Sequence, residues 1–392
     1  MTSATNAQPA QPFGRLAGQS DVPARMMAAE AYTSTDVLDW ELRHLFAGGW
    51  TCLGRLDDLL PSCGEGRPVS QRAVRVGDVS CLLVETGTGV RMFANTCRHR
   101  GHELLADGEV STRRTLQCPY HAWTYDSAGA LLGAPGFRED EQFDLSDNGL
   151  VELTAAVWQG WVFGHALHPA GDPDVPPFEE HLGAMAGIVA PYAPGRLVIA
   201  DRHTYEVAAN WKVIAENYHE CYHCPLIHPE LCQVSPPTSG ENYDLPGAWV
   251  GGSMDLRDGM ATMSLTGELS ATPLPGVDPA RVEYLHLLPN LLVSAHPDYV
   301  MTHRMVPLSP DRTWVECSWL VAAPTDGSVP QAAAAVEFWD ITNKQDWGAC
   351  ESVQRGLASP HFRPGPFAPN EDAVAQLVAM VGRAYRAGRL EE

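Results

Sequence analysis

Basic residues are scarce in this 392-residue chain. It has 26 Lys and Arg against 48 Asp and Glu, a formal net charge of −22. Nucleic acids and anionic membrane surfaces are gripped by clustered Lys and Arg, so the deficit speaks against either partner. Long hydrophobic runs are missing too: no stretch reaches the roughly 18 uninterrupted apolar residues needed to cross a bilayer. The first twenty residues, MTSATNAQPAQPFGRLAGQS, lack a basic start followed by an apolar stretch. They read as a Pro- and Ala-rich leader, not a secretory signal. The ten cysteines form no compact disulfide framework, and a chain this long needs none. A reducing cytoplasm is therefore expected, with any Cys beside His read first as a metal ligand. There is no internal repeat, no Gly-x-Gly-x-x-Gly after a strand and no plant-type Cys-x4-Cys-x2-Cys run. What the chain does have is apolar content, 45% hydrophobic with only 19% charged residues. That excludes global disorder and suits one large or two to three ordinary domains. The surplus carboxylate itself reads as a solubility feature.

Turn residues and apolar periodicity divide the chain into three parts. Residues 1–49 hold the leader and a helix expected over 34–46, with Leu38, Leu42 and Leu45 on one face, a Thr or Ser cap and Gly48-Gly49 as its stop. Residues 50–166 switch to short β-type runs, such as 73–76, 80–84, 90–94 and 161–163, and read as an all-β domain. The Pro- and Asp-rich stretch HPAGDPDVPP marks the next boundary. Within 167–392, strands are expected over 197–207, 284–295, 300–307 and 314–322, and helices over 211–222, 331–357 and 370–387. The simplest arrangement is α+β, a curved antiparallel sheet holding helices against one face.

The β domain contains Cys97-Arg98-His99 and, after eighteen intervening residues, Cys118-Pro119-Tyr120-His121. Zinc fingers and ribbons pair Cys with Cys and His with His, or use four Cys. One Cys and one His on each of two arms instead lets two Cys bind one iron and two His the other, which is Rieske [2Fe–2S] ligation. CRHRGHEL and CPYHAWTYD resemble the two cluster loops of Rieske non-haem iron oxygenase α subunits. The resemblance implies that Arg98, Gly101, Pro119, Tyr120 and Trp123 shape the loops and donate hydrogen bonds to the cluster.

A second constellation lies in NWKVIAENYHECYHCPLIHPEL, where His223 and His228 are five apart with a Pro between them. Two His and one carboxylate on one face, with open positions opposite, form the facial triad of non-haem Fe(II) oxygenases. The resemblance supplies Asp346 as the distant carboxylate, followed by Glu351 and Gln354. It extends over nearly the whole chain and implies a catalytic domain of helix-grip (START-like) type. His219 reads as a neighbouring packing residue. Cys221 and Cys224 either flank the site or form a Cys-x-x-Cys redox pair or half a zinc site.

Glu220 stands one residue before Cys221, where the family carries an acidic residue bridging the iron His to a Rieske His of the neighbouring subunit. Most ring-hydroxylating members have Asp there; ECYHC is similar to the members that oxidise glycine betaine, carnitine and proline betaine. The resemblance implies a terminal oxygenase that uses O2 to hydroxylate or N-demethylate a small substrate. Aromatic or alicyclic hydroxylation is the alternative, and a bare Rieske electron carrier the alternative of a different class. It also implies a separate flavin-dependent NAD(P)H reductase, with or without a ferredoxin, and a homotrimer. For the pocket, 243–263 and the strand residues His286, Leu288, Val293 and His303 are candidates. Tyr243 and Trp249 read either as a cage for a quaternary ammonium group or as core.

Overall fold

The structure, a computed structural model, describes residues 13–16, 25–60, 69–86, 89–137, 142–325 and 328–390. Most of the expected leader and Cys63 lie outside these residues. The chain forms two units, one of residues 39–198 with 288–291, the other drawn from 1–38, 199–287 and 292–392. The expected helix over 34–46 is a helix at Thr35–Glu41 that widens into a π turn, Leu42–Ala47, and stops at Gly48.

The first unit is built on β1 (Thr51–Arg55), β2 (Val69–Val76), β3 (Val79–Glu85), β4 (Val90–Ala94), β5 (Val110–Arg113), β6 (Leu116–Gln117), β7 (Thr124–Tyr125), β8 (Leu131–Gly133), β9 (Glu152–Trp158) and β10 (Trp161–Pro169). Seven strands form one sheet in the order β1-β10-β9-β4-β3-β2-β5, and β6-β7-β8 form a second. The β2–β3 hairpin closes on Gly77-Asp78, with Val76 paired to Val79. Gly77 has φ +58° and lies against the Leu42 carbonyl, where a Cβ has no room; only glycine serves there. Leu82, Val84, Phe93, Trp123, Tyr125 and Leu131 share one apolar core.

Two buried histidines make this unit acid-sensitive. Burial pushes the His165 and His181 imidazoles down to about 4 from an ordinary 6.5. His181 Nε2 donates to the Leu288 carbonyl at 2.9 Å. The unfolded chain binds more protons between those values, so stability present above pH 6.5 is lost as the pH falls through 4. The loss is about 1.4 kcal/mol per pH unit for each ring. The melting temperature of the protein should therefore fall steeply between pH 6.5 and 4; a flat profile would contradict this assignment.

The second unit carries β11 (Leu197–Val207), β12 (Glu241–Asn242), β13 (Trp249–Asp255), β14 (Arg281–Leu287), β15 (Leu291–Ala295), β16 (Val300–Ser309) and β17 (Arg312–Ala322) in the sheet order β11-β17-β16-β15-β14-β13-β12. The pairs β12–β13, β13–β14 and β16–β17 run antiparallel. Helices Trp211–Tyr218 and Asp372–Ala387 pack on this sheet, and Ala333–Leu357 packs on the 211–218 helix and reaches β16 through the Asn343–His303 hydrogen bond. This is the expected α+β architecture, an all-β domain and a helix-grip domain. The expected strand over 284–295 is two strands, because Pro289 between them cannot donate to a ladder.

The helix at Trp211–Tyr218 starts on Asn210, whose side chain accepts from Lys212 N at 3.0 Å. Gln354 holds that cap in place: its Oε1 accepts from Asn210 N at 2.9 Å and its Nε2 donates to the Tyr32 carbonyl at 3.1 Å. Glu351 Oε1 accepts from Ala208 N at 3.2 Å. Thus the long Ala333–Leu357 helix fixes where the 211–218 helix begins.

Candidate iron centres

In the β unit the two Cys/His loops repeat one turn. Gly101 N donates to the Cys97 carbonyl and Cys97 N to the His102 carbonyl; Ala122 N donates to the Cys118 carbonyl and Cys118 N to the Trp123 carbonyl. Both turns need a left-handed residue at the same place, Gly101 at φ +74° and Ala122 at φ +58°. Tyr125 ties the loops together. Its hydroxyl accepts from Arg98 N at 3.1 Å and lies 3.3 Å from Cys97 Sγ.

Cys97 and Cys118 are both 2% exposed. The His99 and His121 rings stand 4.5 Å apart, and His99 stacks flat on Trp123 at 5.0 Å. His99 Nδ1 is buried with no partner in the protein, as suits a ligand atom. No three of the four donor atoms gather within 4.8 Å of one another. A single zinc ion requires that convergence; a cluster of two irons, each taking two of the donors, does not.

The other candidate centre does converge. The helix expected over 211–222 ends at Tyr218, because the Glu220 carboxylate captures the next backbone donors: Oε2 accepts from Tyr222 N at 2.5 Å and His223 N at 3.1 Å. Oε1 of the same group accepts from His223 Nδ1. His228, 1% exposed, donates from Nδ1 to Gln345 Oε1 at 2.7 Å. Both partner oxygens only accept, so both imidazoles carry their proton on Nδ1 and present a lone pair at Nε2.

The two Nε2 atoms are 3.0 Å apart, and Asp346 Oδ1 lies 2.8 Å from His228 Nε2 and 3.3 Å from His223 Nε2. Three such atoms at that spacing repel unless a cation, a proton or a metal ion, sits among them. Ligands about 2.1 Å from a metal and at right angles are themselves about 3.0 Å apart, so the set fits one divalent ion. Burial lowers the His223 imidazole, but hydrogen bonds to Asp346 and Glu220 bring it to about 9. A metal must therefore displace a proton there.

Two family models match the chain. The Rieske [2Fe-2S] domain covers residues 49–147, and the ring hydroxylating alpha subunit (catalytic domain) covers 194–387. This chain belongs with the Rieske oxygenase α subunits. The glycine betaine monooxygenase oxygenase subunit of Chromohalobacter salexigens is 29% identical over 370 residues, 86% of this chain and 80% of that protein. The carnitine monooxygenase oxygenase subunit of Acinetobacter baumannii is 34% identical over 200 residues, 50% of this chain and 51% of that one. A solved quaternary ammonium Rieske monooxygenase shares the fold with a TM-score of 0.74 at 24% identity, over 93% of this chain and 96% of that chain. The oxygenase thus carries a Rieske cluster and a mononuclear iron, and as the oxygenase subunit of a Rieske system it works with a reductase. No described helix is long and apolar enough to cross a membrane.

The second centre of this oxygenase opens into a cavity of about 380 Å³. Its lining includes Tyr218, Tyr284, Trp339, Trp347, His303 and the carboxylates Glu220, Glu241, Asp346 and Asp372. Gly252, Ser253 and Met254 from the expected 243–263 stretch contribute. Tyr243 and Trp249 are not among the lining residues. Trp249 is 1% exposed and donates to the Pro246 carbonyl at 2.9 Å, and the Tyr243 hydroxyl donates to Glu283 Oε2 at 2.9 Å; the cage reading of that pair gives way to the core reading. Leu292 lines the cavity where Val293 was expected, and His286 stacks instead on His219 at 5.6 Å. His219 itself reaches the cavity wall, where burial holds its ring neutral. Cys221 and Cys224 are joined as a disulfide with Cα atoms 4.9 Å apart, so the chain does contain one short bridge.

Gln345 was invisible to motif reading. Its Nε2 lies 3.4 Å from Glu230 Oε2, which fixes its oxygen toward His228. Only its place beside Asp346 could have pointed to it. Gln345→Leu should lower Fe(II) affinity about 10- to 100-fold, read by chelator competition, with the cluster spectrum unchanged.

Proposed function

We propose that this oxygenase removes an N-methyl group from a quaternary ammonium compound. The observation that carries the reading is the convergence of His223 Nε2, His228 Nε2 and Asp346 Oδ1 beside a cavity walled by aromatic rings and carboxylates. Tyr284 stands 6.0 Å from Tyr218 and 6.4 Å from Trp339, ring centre to ring centre. Aromatic faces attract a cation that has no hydrogen-bond donor, and lining carboxylates add to the attraction. The names of the curated relatives support the same substrate class.

In this reading Cys97, His99, Cys118 and His121 hold the cluster, and His223, His228 and Asp346 hold the mononuclear iron. When bound, the irons supply electron transfer and O2 activation, inserting one oxygen atom into a C–H bond and releasing the other as water, at the cost of two electrons and two protons. The residues of this chain position the chemistry. Glu220 keeps the His223 ring aimed and its proton on Nδ1, and Gln345 does so for His228. The aromatic wall holds the ammonium group and excludes water. The hydroxylated N-methyl group then gives up its O–H proton, the C–N electron pair passes to nitrogen, and formaldehyde leaves.

We further assign Glu220 to the electron path, linking His223 to a cluster histidine of a neighbouring subunit in a homotrimer. The donor is a flavin-dependent NAD(P)H reductase, directly or through a ferredoxin, and the compartment is the cytoplasm. The test is formaldehyde release, dependent on O2 and NADH, from a panel of trimethylammonium compounds with a surrogate reductase. Turnover of aromatics alone would replace this reading with ring hydroxylation.

A further inference from the structure

An O2-activating centre that meets no substrate draws electrons from the protein around it. Indole and phenol rings yield an electron most readily, and electrons pass quickly between rings a few ångströms apart. A phenol gives up its electron easily only where a base takes the O–H proton in the same step, because an oxidised phenol is a strong acid. Among the described residues, four such rings line the cavity beside His223, His228 and Asp346: Tyr218, Tyr284, Trp339 and Trp347. The first three end without a base. Tyr218 Oη pairs with Ser294 Oγ at 2.9 Å, and Tyr284 Oη has no partner in the protein. Trp339 Nε1 donates to Tyr299 Oη, which is fully buried and donates in turn to the Met263 carbonyl.

Trp347 leads to one. It follows Asp346 on the Ala333–Leu357 helix, and its Nε1–H is buried without an acceptor. An oxidised Trp347 therefore keeps its proton and stays a cation that readily takes an electron back. Tyr205 stands next to it, ring centres 5.7 Å apart. Side chains alternate along β11, so His203 and Tyr205 share a face, and Asp340, Lys344 and Trp347 share a face of the helix. The two faces are joined by hydrogen bonds. Tyr205 Oη donates to Asp340 Oδ1 at 2.8 Å, and His203 Nδ1 lies 3.3 Å from the same oxygen. Burial pushes the Asp340 carboxyl up, but hydrogen bonds from Lys344 and Tyr205 hold it below the ordinary carboxylate range, so it is ionised and accepts a proton. The side chains of His203 and Asp340 are 33% and 23% exposed, which gives that proton an exit to water.

We propose that Trp347 and Tyr205 form a relay that drains oxidising equivalents from the candidate mononuclear centre to the surface when no substrate is bound, with Asp340 taking the Tyr205 proton. Trp347 yields one electron to the centre. Tyr205 returns one to Trp347 and passes its O–H proton to Asp340, leaving a neutral phenoxyl radical, and Asp340 releases the proton to water. A soluble thiol then gives the phenoxyl a hydrogen atom, which restores the phenol, and two thiyl radicals join as a disulfide. The relay depends on O2 activation at the His223, His228 and Asp346 centre. It does not depend on which substrate that centre oxidises, so it stands apart from the N-demethylation reading.

The experiment traps the radical on the iron-loaded enzyme. Reduced enzyme is mixed with O2, and resting enzyme with hydrogen peroxide, both without substrate, and each is freeze-quenched for EPR. A signal near the free-electron g value is expected, separate from the cluster signal and narrowed when the tyrosines are ring-deuterated. Tyr205→Phe should lose it and gain oxygen adducts at Trp347, His223 and His228, read by peptide mass spectrometry. The same variant should inactivate in fewer turnovers while its initial rate with substrate is unchanged. Asp340→Asn keeps an acceptor for the hydroxyl but takes no proton, so it should lose the signal too. Asp346→Ala, without the centre, should show none. No tyrosine radical in the unmodified enzyme under either condition would overturn the relay and leave N-demethylation standing. A signal that survives in Tyr205→Phe or Asp340→Asn would overturn the assignment to those residues, and one in Asp346→Ala would overturn the centre as its source.

Discussion

Asp346→Ala is expected to abolish oxygenation while leaving the cluster intact. Among the described residues the carboxylate is the one negative partner facing both Nε2 atoms, at 2.8 and 3.3 Å. Burial pushes it up, yet hydrogen bonds from His223 and His228 hold it below the ordinary carboxylate range. Without it, two imidazoles remain to bind a divalent ion in a partly desolvated pocket, too few for the facial arrangement. Iron content should fall from about three to about two per chain, with acid-labile sulfide unchanged at about two, since the cluster holds two irons and the mononuclear site one. Turnover should fall by at least about 10³-fold, the scale set by losing a metal that generates the reactive species. Iron and sulfide assays with the reduced-state EPR spectrum check this. Three irons and an unaltered rate would remove Asp346 from the site.

Glu220→Ala is expected to have the second-largest effect, with a different signature. Both centres should load, because all seven candidate ligands remain, but turnover should fall by about 10²-fold or more, the scale seen when a group that orients metal-bound histidine is lost. Two causes contribute. Glu220 organises its loop by accepting from Tyr222 N and His223 N, and it is the carboxylate on His223 Nδ1. Glu220→Gln separates them. It keeps an acceptor for the backbone but removes the charge that responds to imidazole protonation. Reoxidation of the chemically reduced cluster by an O2 pulse should stay slow in both variants. Recovery of the normal rate in Glu220→Gln would reduce Glu220 to a loop-shaping residue.

How much could be read beforehand depended on how local each feature is. The two Cys/His loops could be picked out because their candidate ligand types and spacing lie within a few residues, and each closes on its own backbone hydrogen bonds. The strand at Leu197–Val207 and the long helices followed from periodicity and turn residues. Asp346 lies 118 residues beyond His228, so no spacing rule reaches it and only family resemblance named it. Gln345 was not legible at all, since its role exists only once the Ala333–Leu357 helix lies beside the 228–234 segment. The helix end at Tyr218 was overread to 222 because a side chain, Glu220, takes the donors that a further turn would have used. The cavity wall was partly misread. Pro289 interrupts the expected continuous strand, and Tyr243 and Trp249 satisfy their polar atoms within the protein. The Cys221–Cys224 bridge was left open by the sequence, which cannot show how close two sulfurs lie.

The central claim is that electrons delivered to the cluster are spent at the His223, His228 and Asp346 centre on an N-methyl group. Its most direct test is the stoichiometry of NADH oxidised, O2 consumed and formaldehyde formed with a trimethylammonium substrate and a surrogate reductase. One of each per turnover is expected. O2 consumption without formaldehyde from any trimethylammonium compound, together with hydroxylated product from an aromatic one, would contradict the claim.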